Sequence, residues 1–186
     1  MQQSFPPAVS SQYDLLGYST NGQLRLIVEL KGRVQVGATR LAGEWLSRVS
    51  QQQPRLYALF ITPEFMLLRL PMGQQLPSPV AVAFTHQQVV QQLLERLPGQ
   101  FDYAVNSVAC LDTAIDTQRM PLHKLTAGGL ERVVTSWLNS TLLLSATELQ
   151  QQTAQAWLVE SGLHEALANG TIVVTPAGPY AYGFAA

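Results

Sequence analysis

The chain has 186 residues, 47% of them hydrophobic and only 12% charged, with a formal net charge of −1. That composition supports a proper buried core and excludes a charge-rich disordered chain. It also weighs against tight, sequence-independent nucleic-acid binding, which depends on many Lys and Arg neutralising phosphates. No long apolar run argues for a membrane span. The N-terminus, Met1-Gln2-Gln3-Ser4-Phe5-Pro6-Pro7, lacks the basic start and apolar stretch of a secretory signal. A single cysteine, Cys110, excludes an intramolecular disulfide framework and fits a reducing cytoplasm. Within Val108-Ala109-Cys110-Leu111 it reads as a small buried hydrophobe.

Residues 1–11, with Pro6-Pro7 among Ser and Gln, read as an extended entry. Strands are predicted at 12–18 and 24–31, joined through Ser19-Thr20-Asn21-Gly22-Gln23. Asn-Gly between two apolar runs signals a hairpin, because both residues tolerate positive φ. With Asn21-Gly22 as a two-residue loop, Thr20 faces Gln23 and Asp14 faces Glu29; a three-residue loop would shift that register by one. Residues 32–37 connect to an amphipathic helix at 38–50, where Leu41, Trp45 and Val49 recur every four positions beside Ala38, Ala42 and Leu46. An apolar strand at 56–62 follows, and Pro63-Glu64 turns the chain into a further strand at 65–70. Strand, helix and strand form a βαβ unit, so its two strands are expected to be parallel, with a right-handed crossover.

Residues 71–79 hold Pro71, Gly73, Pro77 and Pro79 and form the best candidate boundary. Beyond it, Thr85 is expected to cap a helix running through Leu97, with Val89, Val90, Leu93, Leu94 and Leu97 as its buried stripe. Residues 101–108 read as a strand or a covering loop. Helices are predicted at 130–144 and at 148–168, the latter broken near Ser161-Gly162, with a final strand at 171–175 and an irregular tail from Pro176. The expected architecture is α/β (α+β): a mixed-sheet core at 1–70, a Pro-rich connection at 71–79, and a mostly helical extension at 80–186 packed on the core.

One constellation points to chemistry. Glu29 and Lys31 share a strand face, because side chains alternate, and the hairpin register brings Asp14 opposite them. Two carboxylates facing across a ladder repel, so a cation between them is expected. Asp14 and Glu29 offer the hard oxygens that Mg²⁺ or Mn²⁺ takes, and the Leu30 backbone carbonyl supplies another. Lys31 beside such a metal would orient an attacking water and stabilise charge developing on a phosphate. Other candidates are weaker. His86, His123 and His164 are scattered, and Glu160 with His164 reads as a helix-surface pair. Trp45, Trp137 and Trp157 fall in apolar stripes. Ser136 and Ser140 have no nucleophile elbow, and Thr126-Ala127-Gly128-Gly129 fits no phosphate-binding loop. Basic residues do gather between Arg25 and Arg55, which allows a local basic face.

Asp14, then Glu29-Leu30-Lys31 at the end of an apolar strand, then a helix and a strand, resembles the PD-(D/E)xK nuclease superfamily over residues 12–70. Phe60-Ile61-Thr62-Pro63 before a second apolar strand is similar to small bacterial members of that superfamily. The resemblance implies a restriction-endonuclease-like mixed sheet flanked by helices, and Mg²⁺-dependent hydrolysis of DNA. Asp14 and Glu29 would be metal ligands, and Lys31 the catalytic lysine. In the helix after the strand, where some members carry Gln or Lys, this chain offers Arg40, Glu44 and Arg48. The alternative from another class is a non-catalytic interaction module whose helices after residue 85, with their wide apolar stripes, are compatible with a homodimer.

Overall fold

The computed structural model describes residues 13–32 and 37–175. The predicted entry at 1–11, the tail from Pro176 and part of the connection at 32–37 lie outside the described residues. β1 (Leu15–Tyr18) and β2 (Leu24–Leu30) form the expected hairpin, followed by α1 (Ala38–Gln52), β3 (Tyr57–Ile61) and β4 (Phe65–Arg69). β2 and β3 run parallel, with Glu29 beside Phe60 and Leu30 beside Ile61, while β4 returns antiparallel to β3. β3 is buried along its whole length. Its unbroken apolar sequence is what a strand covered on both faces requires.

The second half of the chain belongs to the same sheet. β5 (Val80–Val82), α2 (Gln87–Arg96), β6 (Tyr103–Asn106), α3 (Ser107–Leu111), α4 (Ala127–Leu143), α5 (Ala146–Gln150), α6 (Ala156–Glu160), α7 (Leu163–Leu167) and β7 (Thr171–Val174) complete the described elements. The strands lie in the order β5-β6-β4-β3-β2-β1-β7. β6 adds to β4 and β7 adds to β1, so residues 80–175 widen the sheet at both edges. The expectation of an extension packed on a finished core is therefore corrected, and the Pro-rich segment is an internal connection. It is tied down by Asp102, whose carboxylate accepts the Leu70 and Leu76 N–H groups at 2.8 and 3.4 Å. Arg69 Nε stands 3.9 Å from the same carboxylate.

Helices cover both faces. On one, Leu15, Val28, Leu59 and Ile61 pack against Leu130, Trp137, Trp157 and Leu167 from α4, α6 and α7. On the other, Ile27, Phe60 and Leu67 meet Trp45 and Leu46 of α1 and Leu93 of α2. Some boundaries differ from those predicted. α2 starts after His86 and takes no side-chain cap, so Thr85 does not cap it. α4 begins at Ala127 because the Thr126 hydroxyl accepts the Gly129 N–H. The region read as one broken helix is three short ones: Ser145 and Glu148 form a capping box ahead of α5, and Gly162 interrupts the run at φ 75°. No described helix is long and apolar enough to cross a membrane.

Asp102 is 5% exposed and serves two backbone amides besides a guanidinium. Replacing it by Ala strands those donors, at a cost of roughly 1–3 kcal/mol. The expected result for Asp102→Ala is an unfolding free energy in urea lower by that amount, with protease cutting first in residues 71–79.

Candidate active site

The hairpin reaches its register by a different route from the one predicted. Ser19 N–H bonds to the Gln23 carbonyl at 2.9 Å, and Gly22, at φ 76°, donates to the Ser19 carbonyl at 2.8 Å. The loop is therefore three residues, Thr20 to Gly22, and Tyr18 pairs with Leu24. A bulge at Arg25 absorbs the slip, since Gly17 pairs with Leu26, Leu16 with Ile27 and Leu15 with Val28. A loop one residue too long and a bulge one residue deep cancel. Asp14 is thus delivered to the end of β2 as expected.

Its side chain does not stand in the ladder, however. Asp14 sits at a bend, its N–H bonded to the Val28 carbonyl at 3.0 Å and its own carbonyl accepting the Thr175 N–H at 3.0 Å. Tyr13 and Leu16 both pack on the α1 face while Leu15 packs on the opposite one, so strict alternation fails between Tyr13 and Leu15. The carboxylate turns instead to the β2 backbone, and Asp14 Oδ2 accepts the Leu30 N–H at 2.6 Å. That corrects the expectation of two carboxylates facing one another on a single face. Asp14 reads the amide that lies between Glu29 and Lys31. The Lys31 N–H points the other way, to the Ile61 carbonyl at 2.9 Å. Backbone groups alternate along a strand, so the Leu30 carbonyl faces the Asp14 side.

Glu29 and Lys31 do share the α1 face, and Lys31 Nζ stands 2.5 Å from Glu29 Oε1. The Glu29 side chain is only 15% exposed, against 38% for Lys31. Burial pushes the Glu29 carboxyl above its ordinary range; Lys31 opposes this, Asp14 adds to it, and Arg48 on α1 opposes it from further off. Asp14 Oδ1 and Glu29 Oε2 have no hydrogen-bond partner among the described residues. No group of three His, Cys, Asp or Glu that would hold a metal occurs among the described residues. The donor set is two carboxylates and one carbonyl, which fits a hard cation that keeps several waters.

Two neighbours were not assigned by the sequence. Arg48 is exposed on α1 and acts on both Glu29 and the Tyr13 hydroxyl, which burial pushes upward. Glu131 on α4 is the second: burial raises its carboxyl, the Asp14 charge adds to this, and Arg132 opposes it. α4 comes this near because Gly32 has no side chain; a Cβ there would lie 2.8 Å from the Ala127 Cα. No local pattern links Glu131 to a hairpin more than a hundred positions away.

The remaining candidates fall elsewhere. His86 and His123 line a separate cleft of about 410 Å³ with Glu64. His164 contacts the Leu144 carbonyl at 2.9 Å, and Glu160 lies on a different helix from it. Cys110 is fully buried and its thiol is pushed up to about 12 by that burial, so no thiolate nucleophile exists near neutrality. Trp45, Trp137 and Trp157 are core residues, although the Trp45 Nε1 is buried without a partner among the described residues. Ser136 and Ser140 are exposed on α4. A scan against protein-family models and searches of curated proteins and of solved structures found no match.

The folded chain holds the Glu29 proton more tightly than the unfolded chain does. In metal-free solution, stability should therefore fall as pH rises from the ordinary carboxylate range through the raised value. Glu29→Gln imitates the protonated form. Its urea midpoint in EDTA should exceed that of the wild type at pH 7, and the difference should close below the ordinary value of 4.5.

Proposed function

We propose that the chain is a Mg²⁺- or Mn²⁺-dependent nuclease that hydrolyses DNA phosphodiester bonds on a restriction-endonuclease-like fold. Asp14, Glu29 and the Leu30 carbonyl would hold the metal. The observation that carries this reading is the Leu30 peptide: its amide is bonded to Asp14 Oδ2, and Glu29 and Lys31, the two residues on either side, meet at 2.5 Å. Asp14, Glu29 and Lys31 thus meet at the end of one strand, with one oxygen of each carboxylate unpartnered among the described residues. The setting also supports the reading, because a hairpin, an E-x-K strand, α1 and a parallel β3 follow one another within a helix-flanked mixed sheet.

When bound, the metal would acidify a coordinated water and offset the charge of the scissile phosphate. The chain's own residues do the rest. Glu29, desolvated and raised, accepts Lys31 and keeps its ammonium at the site. Lys31, the more exposed of the two, reaches toward solvent and donates to the attacking water or to a phosphate oxygen, where charge develops. Arg48 supplies a second cation near Glu29 for the substrate backbone. With a net charge of −1, DNA affinity rests on this local cluster and should be strongly salt-dependent. The lone, buried cysteine fits a cytoplasmic protein.

One observation favours a second reading. The Lys31 ammonium already occupies Glu29 Oε1, as in a nuclease-like fold that has lost catalysis and serves as an interaction module. Cleavage of plasmid or oligonucleotide DNA with Mg²⁺ or Mn²⁺ separates the two. Wild type should cut, and Asp14→Asn, Glu29→Ala and Lys31→Ala should each cut slower by on the order of 100-fold or more. Absence of wild-type cleavage, or equal rates in all four proteins, refutes the nuclease reading.

A further inference from the structure

β2 has a second charged feature at its other end. Arg25, the bulge residue, lies four positions before Glu29, about 13 Å along the strand. It lines a cleft of about 600 Å³ between the hairpin loop, the start of β3 and α7. Arg55 lines the same cleft, as do Tyr57 and Glu165. Tyr57 packs with the α4 and α7 face, whereas Glu29 lies on the α1 face beside Phe60, so this cleft is separate from the candidate active site.

Its chemistry is that of an anion site with one acidic wall. Neither Arg25 nor Arg55 forms an ion pair among the described residues; Arg25 donates to the neutral Gln23 Oε1 at 2.5 Å. Two guanidinium groups against one carboxylate, Glu165, make the cleft net positive in a chain whose net charge is −1. The wall behind them is rigid. Tyr57 is 5% exposed and its hydroxyl donates to Gln74 Oε1 at 3.0 Å, with the Ser161 carbonyl at 3.2 Å. Gly162, at φ 75°, packs close to that hydroxyl, and a Cβ there would approach it to 3.0 Å. The β-bulge that restores the hairpin register also sets Arg25 at the cleft, a common use of bulges beside binding sites.

We propose that this cleft binds a small phosphorylated, hydroxyl-bearing molecule, with its phosphate between Arg25 and Arg55 and its hydroxyls toward Glu165. Guanidinium forks match phosphate oxygens bidentately, a carboxylate accepts from hydroxyls but repels phosphate, and the volume is that of a small-molecule site.

The test is calorimetric titration of the full chain in EDTA with inorganic phosphate, glucose 6-phosphate, glucose, and an oligonucleotide with and without a 5′-phosphate. Phosphate and glucose 6-phosphate should saturate, and glucose and equal chloride should not. Arg25→Gln and Arg55→Gln should each weaken binding at least tenfold. Glu165→Gln, which removes a like charge, should tighten inorganic phosphate binding by roughly three- to tenfold, a gain that no misfolded variant would show. Asp14→Asn should bind as the wild type does, which separates this site from the metal reading. Four outcomes would overturn the proposal: no saturable binding of either phosphate compound, unchanged binding in the double arginine variant, weaker phosphate binding in Glu165→Gln, or binding of the oligonucleotides alone.

Discussion

The hydrogen bond from the Leu30 amide to Asp14 Oδ2 is what brings the candidate site together. Asp14 is held from both sides of β1, by the Val28 carbonyl and by the Thr175 amide, while the Thr175 hydroxyl adds a close contact to the Tyr13 carbonyl. With its backbone fixed by β2 and β7, the side chain has one obvious unpaired donor to meet at the end of the ladder. That donor is the amide between Glu29 and Lys31. A carboxylate that ends a strand pairing is thereby bonded to the amide between Glu29 and Lys31, whose side chains share one face through the alternation of β2.

The electrostatics follow from the packing. Tyr13 meets Trp45 edge-on and Trp45 meets Phe60 at a tilt, with ring centroids 6.3 and 5.9 Å apart, and Glu29 lies beside Phe60 in register. Removing water there is what raises the Glu29 carboxyl, and Asp14 makes the raised state worse. Lys31 and Arg48 offset part of it. Glu131 approaches Asp14 from the opposite face and adds like charge. On the proposed reading, a divalent ion would balance the acidic charge that Lys31 and Arg48 leave uncompensated.

Much of this was legible because it is local. Alternation put Glu29 and Lys31 on one face, the Asn21-Gly22 pair announced the hairpin, and the 38–50 periodicity placed α1. What was not legible depends on distant partners. β5 has three residues and shows no strand pattern of its own; it exists because β6 offers an edge. β7 was recognised as a strand, but nothing in its residues says that it pairs with β1. The Pro-rich segment looked like a linker because the carboxylate that anchors it, Asp102, comes some thirty positions later. The Asp14 register depends on a longer loop offset by the bulge at Arg25, which leaves no mark on composition. Glu131 could not be found at all, because only the fold carries α4 to Gly32.

The central claim is that Asp14, Glu29 and the Leu30 carbonyl hold one divalent cation. Substoichiometric Mn²⁺ added to ¹⁵N-labelled protein tests it directly, because the ion's unpaired electrons broaden the nearest amide signals first. The Asp14, Leu30 and Lys31 amides should be lost before any others, excess Mg²⁺ should restore them, and Glu29→Gln should show no such loss. Broadening centred elsewhere, or spread evenly over the acidic surface, would contradict it.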